Sequence, residues 1–429
     1  MFATSAPEGP MVRVRRTRTA ALLGASLVCA SALTACGPAA SANTINLYSA
    51  PEENLQHNVD RCNAKAAGKY DIVYHKLPRD ADGQREQMVR RLAAGDTGMD
   101  LLYLDVTWTG EFAEADWVRE WTGADKAEVE QDTLSGPLET ATWQGKLYGA
   151  PKNTNVQLLW YRKDLVPEPP ASWGEMIETA QHLKQAGKPH WITLTGAQFE
   201  GLYVHYNTLL ESAGGHVLSD DGKTAVVDEG AVRGLEALRD LGSAGVTSPG
   251  MNNAEEDDAR QEFETGQSAF ELNWPFVYAS MQEEKPELAK KVGWTRVPSL
   301  DPNVPSKSTI GGANYAVSSF STKPELSFEA AKCLRDKENQ KFSAINDGVP
   351  PTIESLYADP ELQAEYPMHD TILQALKDPG MRPVTPAAQN VSTVLSNMLS
   401  PIAEIDPQVT AERMRREVQN ALESKGVMP

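Results

Sequence analysis

The stretch from Asn43 to Asp105 constrains the fold more tightly than any other part of the chain. "NTINLYSA" alternates apolar and polar residues and ends in small ones, which predicts a strand. "HNVDRCNAKAAGKYDIVYHKLP" predicts a helix that stops at Gly68 and a second strand from Tyr70 to Leu77. "GQREQMVRRLAAGDTGMDLLYLD" predicts another helix, ending near Gly95, and an apolar strand from Asp100 to Asp105. A parallel strand pair needs a long crossover to bring the chain back to the same end, and a helix supplies it while covering the sheet. The spacing therefore points to an α/β fold with parallel strands.

After this the rhythm changes. Lys146 to Val166 reads as a short extended run, a polar break at Lys152 to Asn155, and a strand. The Pro-rich "VPEPPASW" leads into a helical region with Ser172 as its N-cap. "EEDDARQEFETGQSAFELNWPF" predicts a helix, a stop at Gly266 and a strand, and "STIGGANYAVSS" a strand entered through Gly311 and Gly312. Helices finish the chain. With 429 residues there is room for two or three domains.

The first 35 residues follow other rules. Arg13, Arg15, Arg16 and Arg18 precede an uncharged run from Thr19 to Ala35, the layout of a secretory leader. The ten residues before Met11 add nothing to it, so Met11 is an alternative start. The run is shorter than the ~20 residues that span a bilayer. It closes on "LTACG", which resembles the lipobox of bacterial lipoproteins and makes Cys36 the acylated first residue of the mature chain. The formal charge is −19, and the leader's four Arg and Glu8 contribute +3, which leaves −22 from Cys36 onward. Nucleic acid is a poor partner for such a chain, because binding it relies on basic surface. Of the four Cys, Cys29 lies in the leader and Cys36 at the lipobox, so Cys62 and Cys333 remain. In an oxidising compartment they suit one disulfide, with two separate buried thiols as the alternative.

"YGAPKNTNVQLLWYRKDL", "EFETGQSAFELNWPF", "TIGGANYAVS" and "DGVPPTIESLYADPEL", together with the lipobox, occur in the order and spacing of solute-binding lipoproteins of ABC importers for carbohydrates, the group that includes maltose-binding proteins. Within that group "RCN" at 61–63, "LDVTWTGEFAEADW", "NTLLESAGG", "CLRDKENQ", "YPMH" and "SPIAEIDP" resemble the trehalose-binding lipoproteins of the trehalose-recycling importers of mycobacteria and related actinobacteria. The chain departs from them in the loop "APEEN" at 50–54 and in a shorter stretch before "STIGG".

The resemblance implies a two-lobed, maltose-binding-protein-like α/β fold with a hinge and an interlobe ligand cleft. Lobe 1 would comprise 44–152 plus 312–350 and lobe 2 153–311 plus 351–429, after a leader at 1–35 and a tether at 36–43. The chain would cross near 152–155, 308–312 and 348–351. The same assignment puts Cys62 and Cys333 in one lobe, which favours the disulfide. It also implies a monomer without a cofactor, anchored by lipid to the outer face of the cytoplasmic membrane. Its ligand would be trehalose or a related disaccharide, delivered to permease subunits with a separate ATPase.

A sugar presents hydroxyls that both donate and accept, and C–H patches on its ring faces. A site for it needs carboxylates, amides, an Arg fork and an aromatic face. Asp105 ends an apolar strand at the edge where open α/β sheets bind ligands, although Thr107 or Thr109 would equally use it as a cap. Asn155 at the first crossing and Gln84 near a helix start are further candidates. Trp274 sits just before Pro275 and after the polar Glu271 and Asn273, so it reads as a stacking platform, with a core Trp as the alternative. Gly312 and Ala313, beside Gly311, allow backbone to approach a ligand. The resemblance adds Glu256, within the acidic run "EEDD", and Arg382, in a loop between Gly380 and Pro383; Glu53 in the divergent loop completes the set. A glycosidase could use Asp105 and Glu256, but it needs its carboxylates at a fixed ~5–9 Å, which opposite lobes of a hinged cleft do not hold. Nucleophile-elbow, zinc and P-loop patterns are missing from the sequence.

Overall fold

The computed structural model describes residues 43–219 and 221–425. The expected leader and the acylation site at Cys36 lie outside the described residues. Strands β1 (Thr44–Ser49), β2 (Asp71–Lys76) and β3 (Leu101–Asp105) pair in parallel in the order β2-β1-β3, connected by helices Leu55–Ala66 and Ala81–Ala93. A small hairpin, β4 (Thr142–Trp143) with β5 (Lys146–Leu147), leads into β6 (Ala150–Val156). The chain then enters a second sheet through β7 (Leu158–Arg162), joined there by β8 (Trp191–Thr193), β9 (Ser268–Asn273) and β10 (Val292–Arg296) in the order β10-β7-β9-β8. Finally β11 (Ile310–Val317) returns to the first sheet and lies antiparallel between β3 and β6.

The polar break expected at 152–155 is instead the middle of β6. Pairing with β11 satisfies the backbone there, and the polar side chains find partners inside: Lys152 Nζ donates to Glu52 Oε1 at 2.6 Å, and Asn153 Nδ2 to the Thr154 carbonyl at 3.1 Å. Between the two sheets the chain has only Gln157 to turn on, which is fully buried.

Side chains pack on both faces of each sheet; β3 and β7 are accordingly apolar over most of their length, whereas the edge strand β2 leaves Asp71, Val73 and Lys76 exposed. In the first sheet Leu47, Leu101 and Tyr315 pack on one side with Val59 and Ala330, while Leu102, Leu104 and Ala316 pack on the other with Met88 and Phe112. In the second, Leu159, Phe270 and Leu272 face Tyr206, Leu235 and Leu395, and Leu158 and Trp160 face Phe263, Val277 and Tyr366. The result is two α/β lobes. Cys62 and Cys333 form a disulfide between helices Leu55–Ala66 and Pro324–Leu334, with Cα atoms 5.9 Å apart, so the alternative of two separate thiols falls away. Among the described residues no helix is long and apolar enough to cross a membrane.

Candidate functional site

β3 stops at Asp105 because the chain turns there into helix Thr109–Glu114. Asp105 Oδ1 accepts from the Thr107 backbone N–H at 2.9 Å and from its hydroxyl at 2.8 Å, which closes a local turn ahead of the helix and does not cap it, because the N-cap position is Trp108 and takes no side-chain bond. The same oxygen also faces Arg382 Nη2 at 3.6 Å. Arg382 is only 6% exposed; its Nη1 is paired with Glu200, and its Nη2 donates to the Ile310 carbonyl at 3.3 Å. Its Nε is buried with no partner. Glu200 heads helix Glu200–Ser212, and burial pushes its carboxyl up while the guanidinium beside it pulls the other way. One turn further, the Tyr203 hydroxyl is likewise buried without a partner, with Arg382 and Glu200 as its charged neighbours.

A second chain of contacts starts from the same helix. A Cβ on Gly201 would sit 3.0 Å from Glu256 Oε1, so the Glu256 carboxyl lies against the helix start. Burial pushes that carboxyl up to about 7; hydrogen bonds from its own backbone and from the Trp274 side chain oppose this, and Glu255 and Asp257 reinforce it. Trp274 is half-buried, and its ring edge lies against Gly311, where a Cβ would come within 2.9 Å of Cη2. Gly311 pairs in register with Asn155, whose Oδ1 is buried without a partner. Ile310, next along β11, holds Arg382, and the contacts close into a ring: Arg382, Glu200, Gly201, Glu256, Trp274, Gly311 and Ile310.

Gly312 has φ +118°, and a Cβ there would lie 2.3 Å from the Asn153 carbonyl, so only glycine fits. Its carbonyl accepts from Val106 N–H at 3.2 Å, and Ala313 lies opposite Asp105 in register, fully buried. Of the residues singled out in sequence, Asp105, Asn155, Glu256, Trp274, Gly312, Ala313 and Arg382 thus come together around the start of β11. Two do not join them through any direct contact. Gln84 is buried and donates to the Arg79 carbonyl at 3.0 Å, while Glu53 is exposed and its neighbour Glu52 takes the buried partner Lys152. Sequence reading missed Glu200 and Tyr203. Their signal was an acid heading the run "GLYVHYNTLL", which is buried from end to end.

Two side-chain pairs cross between the lobes beside this ring: Arg79 Nη1 with Asp257 Oδ2 at 3.0 Å, and Gln389 Nε2 with Asp82 Oδ1 at 2.6 Å. Among the described residues no group of three or more His, Cys, Asp or Glu is placed to hold a metal ion.

Two α/β lobes on these two sheets give the chain the two-lobed, maltose-binding-protein-like architecture. The chain belongs to the bacterial extracellular solute-binding proteins, whose family model matches residues 59–369. A probable ABC transporter-binding protein of Deinococcus radiodurans is 27% identical over 323 residues, covering 72% of this chain and 76% of that one. The structure of T. maritima MalE3 with maltose bound superposes with a TM-score of 0.78 at 28% identity, over 89% of this chain and 99% of that one. The cyclic alpha-maltosyl-1,6-maltose binding protein of Arthrobacter globiformis shares the fold at a TM-score of 0.74 and 19% identity, over 89% and 99% of the two chains.

Proposed function

We propose that the chain is the solute-capturing subunit of an ABC sugar importer, binding trehalose or a close α-linked disaccharide at the ring around Arg382. One observation carries the reading. Asn155 Oδ1, the Tyr203 hydroxyl and Arg382 Nε are buried with no protein partner, in a ring that also offers carboxylates and an indole. Leaving such groups unpaired costs roughly 1–3 kcal/mol each, and sugar hydroxyls supply both donors and acceptors to fill them. The similar proteins named for maltose and for a cyclic maltosyl-maltose support the carbohydrate class.

In this reading, lobe 1 (44–152 plus 312–350) and lobe 2 (153–311 plus 351–429) close on the sugar by hinge motion about the crossings. Glu53, which is exposed, would act at the cleft rim. Acylated Cys36 would hold the chain to the outer face of the cytoplasmic membrane, and separate permease and ATPase subunits would take the sugar onward. In the same reading the chain acts as a monomer.

Maltose or a maltodextrin is the second reading, favoured by the 28% identity to maltose-bound MalE3. Titration calorimetry with trehalose, maltose and maltotriose separates the two. Trehalose binding alone supports the first reading, maltose or maltotriose binding the second, and silence for all three overturns the carbohydrate assignment.

A further inference from the structure

Along β9, Phe270 and Leu272 face the core of the second lobe, and the alternating Glu271 and Asn273 point the other way with 0% exposure. Burying an amide and a carboxyl is unfavourable unless they are bonded, so the destination of their bonds matters. Asn273 Nδ2 donates to Glu271 Oε1 at 2.8 Å and to the Glu256 backbone carbonyl at 2.9 Å, while its Oδ1 accepts from the Trp274 N–H at 2.8 Å. Its backbone carbonyl accepts from the Trp160 indole at 3.1 Å. Two acceptors on one side and a backbone donor on the other leave the amide only one orientation. A single side chain thus ties the first residue of helix Glu256–Glu264 to the residue that follows β9. Those two residues are the carboxylate and the indole of the ring.

We propose that Glu271 and Asn273 are positioning residues: Asn273 holds Glu256 and Trp274 in register with each other, and Glu271 holds Asn273, neither touching the solute. The inference rests on the reading of Glu256 and Trp274 as solute contacts. Any buried amide must find partners, and those of Asn273 are the backbone groups of these two ring residues.

The test is titration calorimetry of the full chain with trehalose and with maltose, for wild type, E256Q, N273A, E271A, E271Q and the double variant N273A/E256Q, with thermal unfolding recorded for each. N273A and E271A each weaken binding about tenfold, the scale of one or two lost hydrogen bonds. E271Q keeps an acceptor for the Asn273 amide and recovers most of what E271A loses. In the E256Q background N273A costs clearly less than it does alone, because the group it positions is already altered. Wild-type affinity in both alanine variants, full additivity with E256Q, or failure of both alanine variants to unfold cooperatively would overturn the proposal, the last by assigning the pair to stability alone. The underlying reading fails differently: wild type binds neither sugar, or E256Q binds as wild type does.

Discussion

Arg382 satisfies an acid from each lobe and a backbone carbonyl at once, all while 6% exposed. Removing it would leave the Glu200 carboxyl buried without its partner and the Ile310 carbonyl without its donor, so Arg382→Ala is expected to cost about 3–5 kcal/mol of stability as well as sugar binding, readable from denaturant melts. Trp274 behaves differently because it is half-buried and carries no buried charge. Trp274→Ala should weaken disaccharide binding about 100-fold with cooperative unfolding preserved, and the reverse pattern would make it a core residue. Glu271 makes a pH prediction. Burial pushes its carboxyl up to about 8 from 4.5, so between those values the folded chain keeps a proton that the unfolded chain has released. Stability therefore falls as pH rises through that window, and Glu256, pushed up to about 7, acts in the same sense over the lower part of it. In E271Q one of these protons is gone. Calorimetric melting over pH 5 to 9 should show E271Q gaining on wild type as pH rises, whereas parallel curves would mean that Glu271 is ionised throughout.

At the scale of elements, β11 organises the site. It leaves the second lobe, pairs with both β3 and β6, and brings Gly311 under Trp274 and Gly312 against Asn153. Gly312→Ala meets both a positive φ and a carbonyl 2.3 Å from the new Cβ, so a loss of about 2–4 kcal/mol is expected, with increased amide exchange in β6. The sequence pattern showed β1 to β3 plainly, β3 as a continuous apolar run and β1 by alternation, with helix stops at Gly68 and Gly95 between the strands. It did not show β6, whose Lys152, Asn153 and Thr154 look like a loop until their buried partners are known.

For the whole molecule, the Cys62–Cys333 bond closes a loop with a sequence separation of 271 residues across the first lobe. Replacing both with Ser should cost about 2–5 kcal/mol, and because the two helices it joins carry none of the ring residues it should leave sugar affinity within about twofold. Arg79 with Asp257 and Asp82 with Gln389 bridge the lobes at exposed positions. Arg79→Glu should leave melting nearly unchanged. It should favour the open arrangement and so weaken binding, and X-ray scattering should give a larger radius of gyration at subsaturating sugar.

The sequence by itself determined the α/β class, the presence of a strand after the stop at Gly266 and the two Cys left to pair. All of these follow from periodicity, local punctuation or residue type, which a linear reading can see. Only the tertiary structure decided that Glu200 pairs with Arg382 across 182 positions, that Glu52 rather than Glu53 turns inward, and that Asn273 links Glu256 to Trp274. Hydrogen-bond and charge partners are set by which strand ends the topology brings together, and a residue's neighbours along the chain carry no record of that.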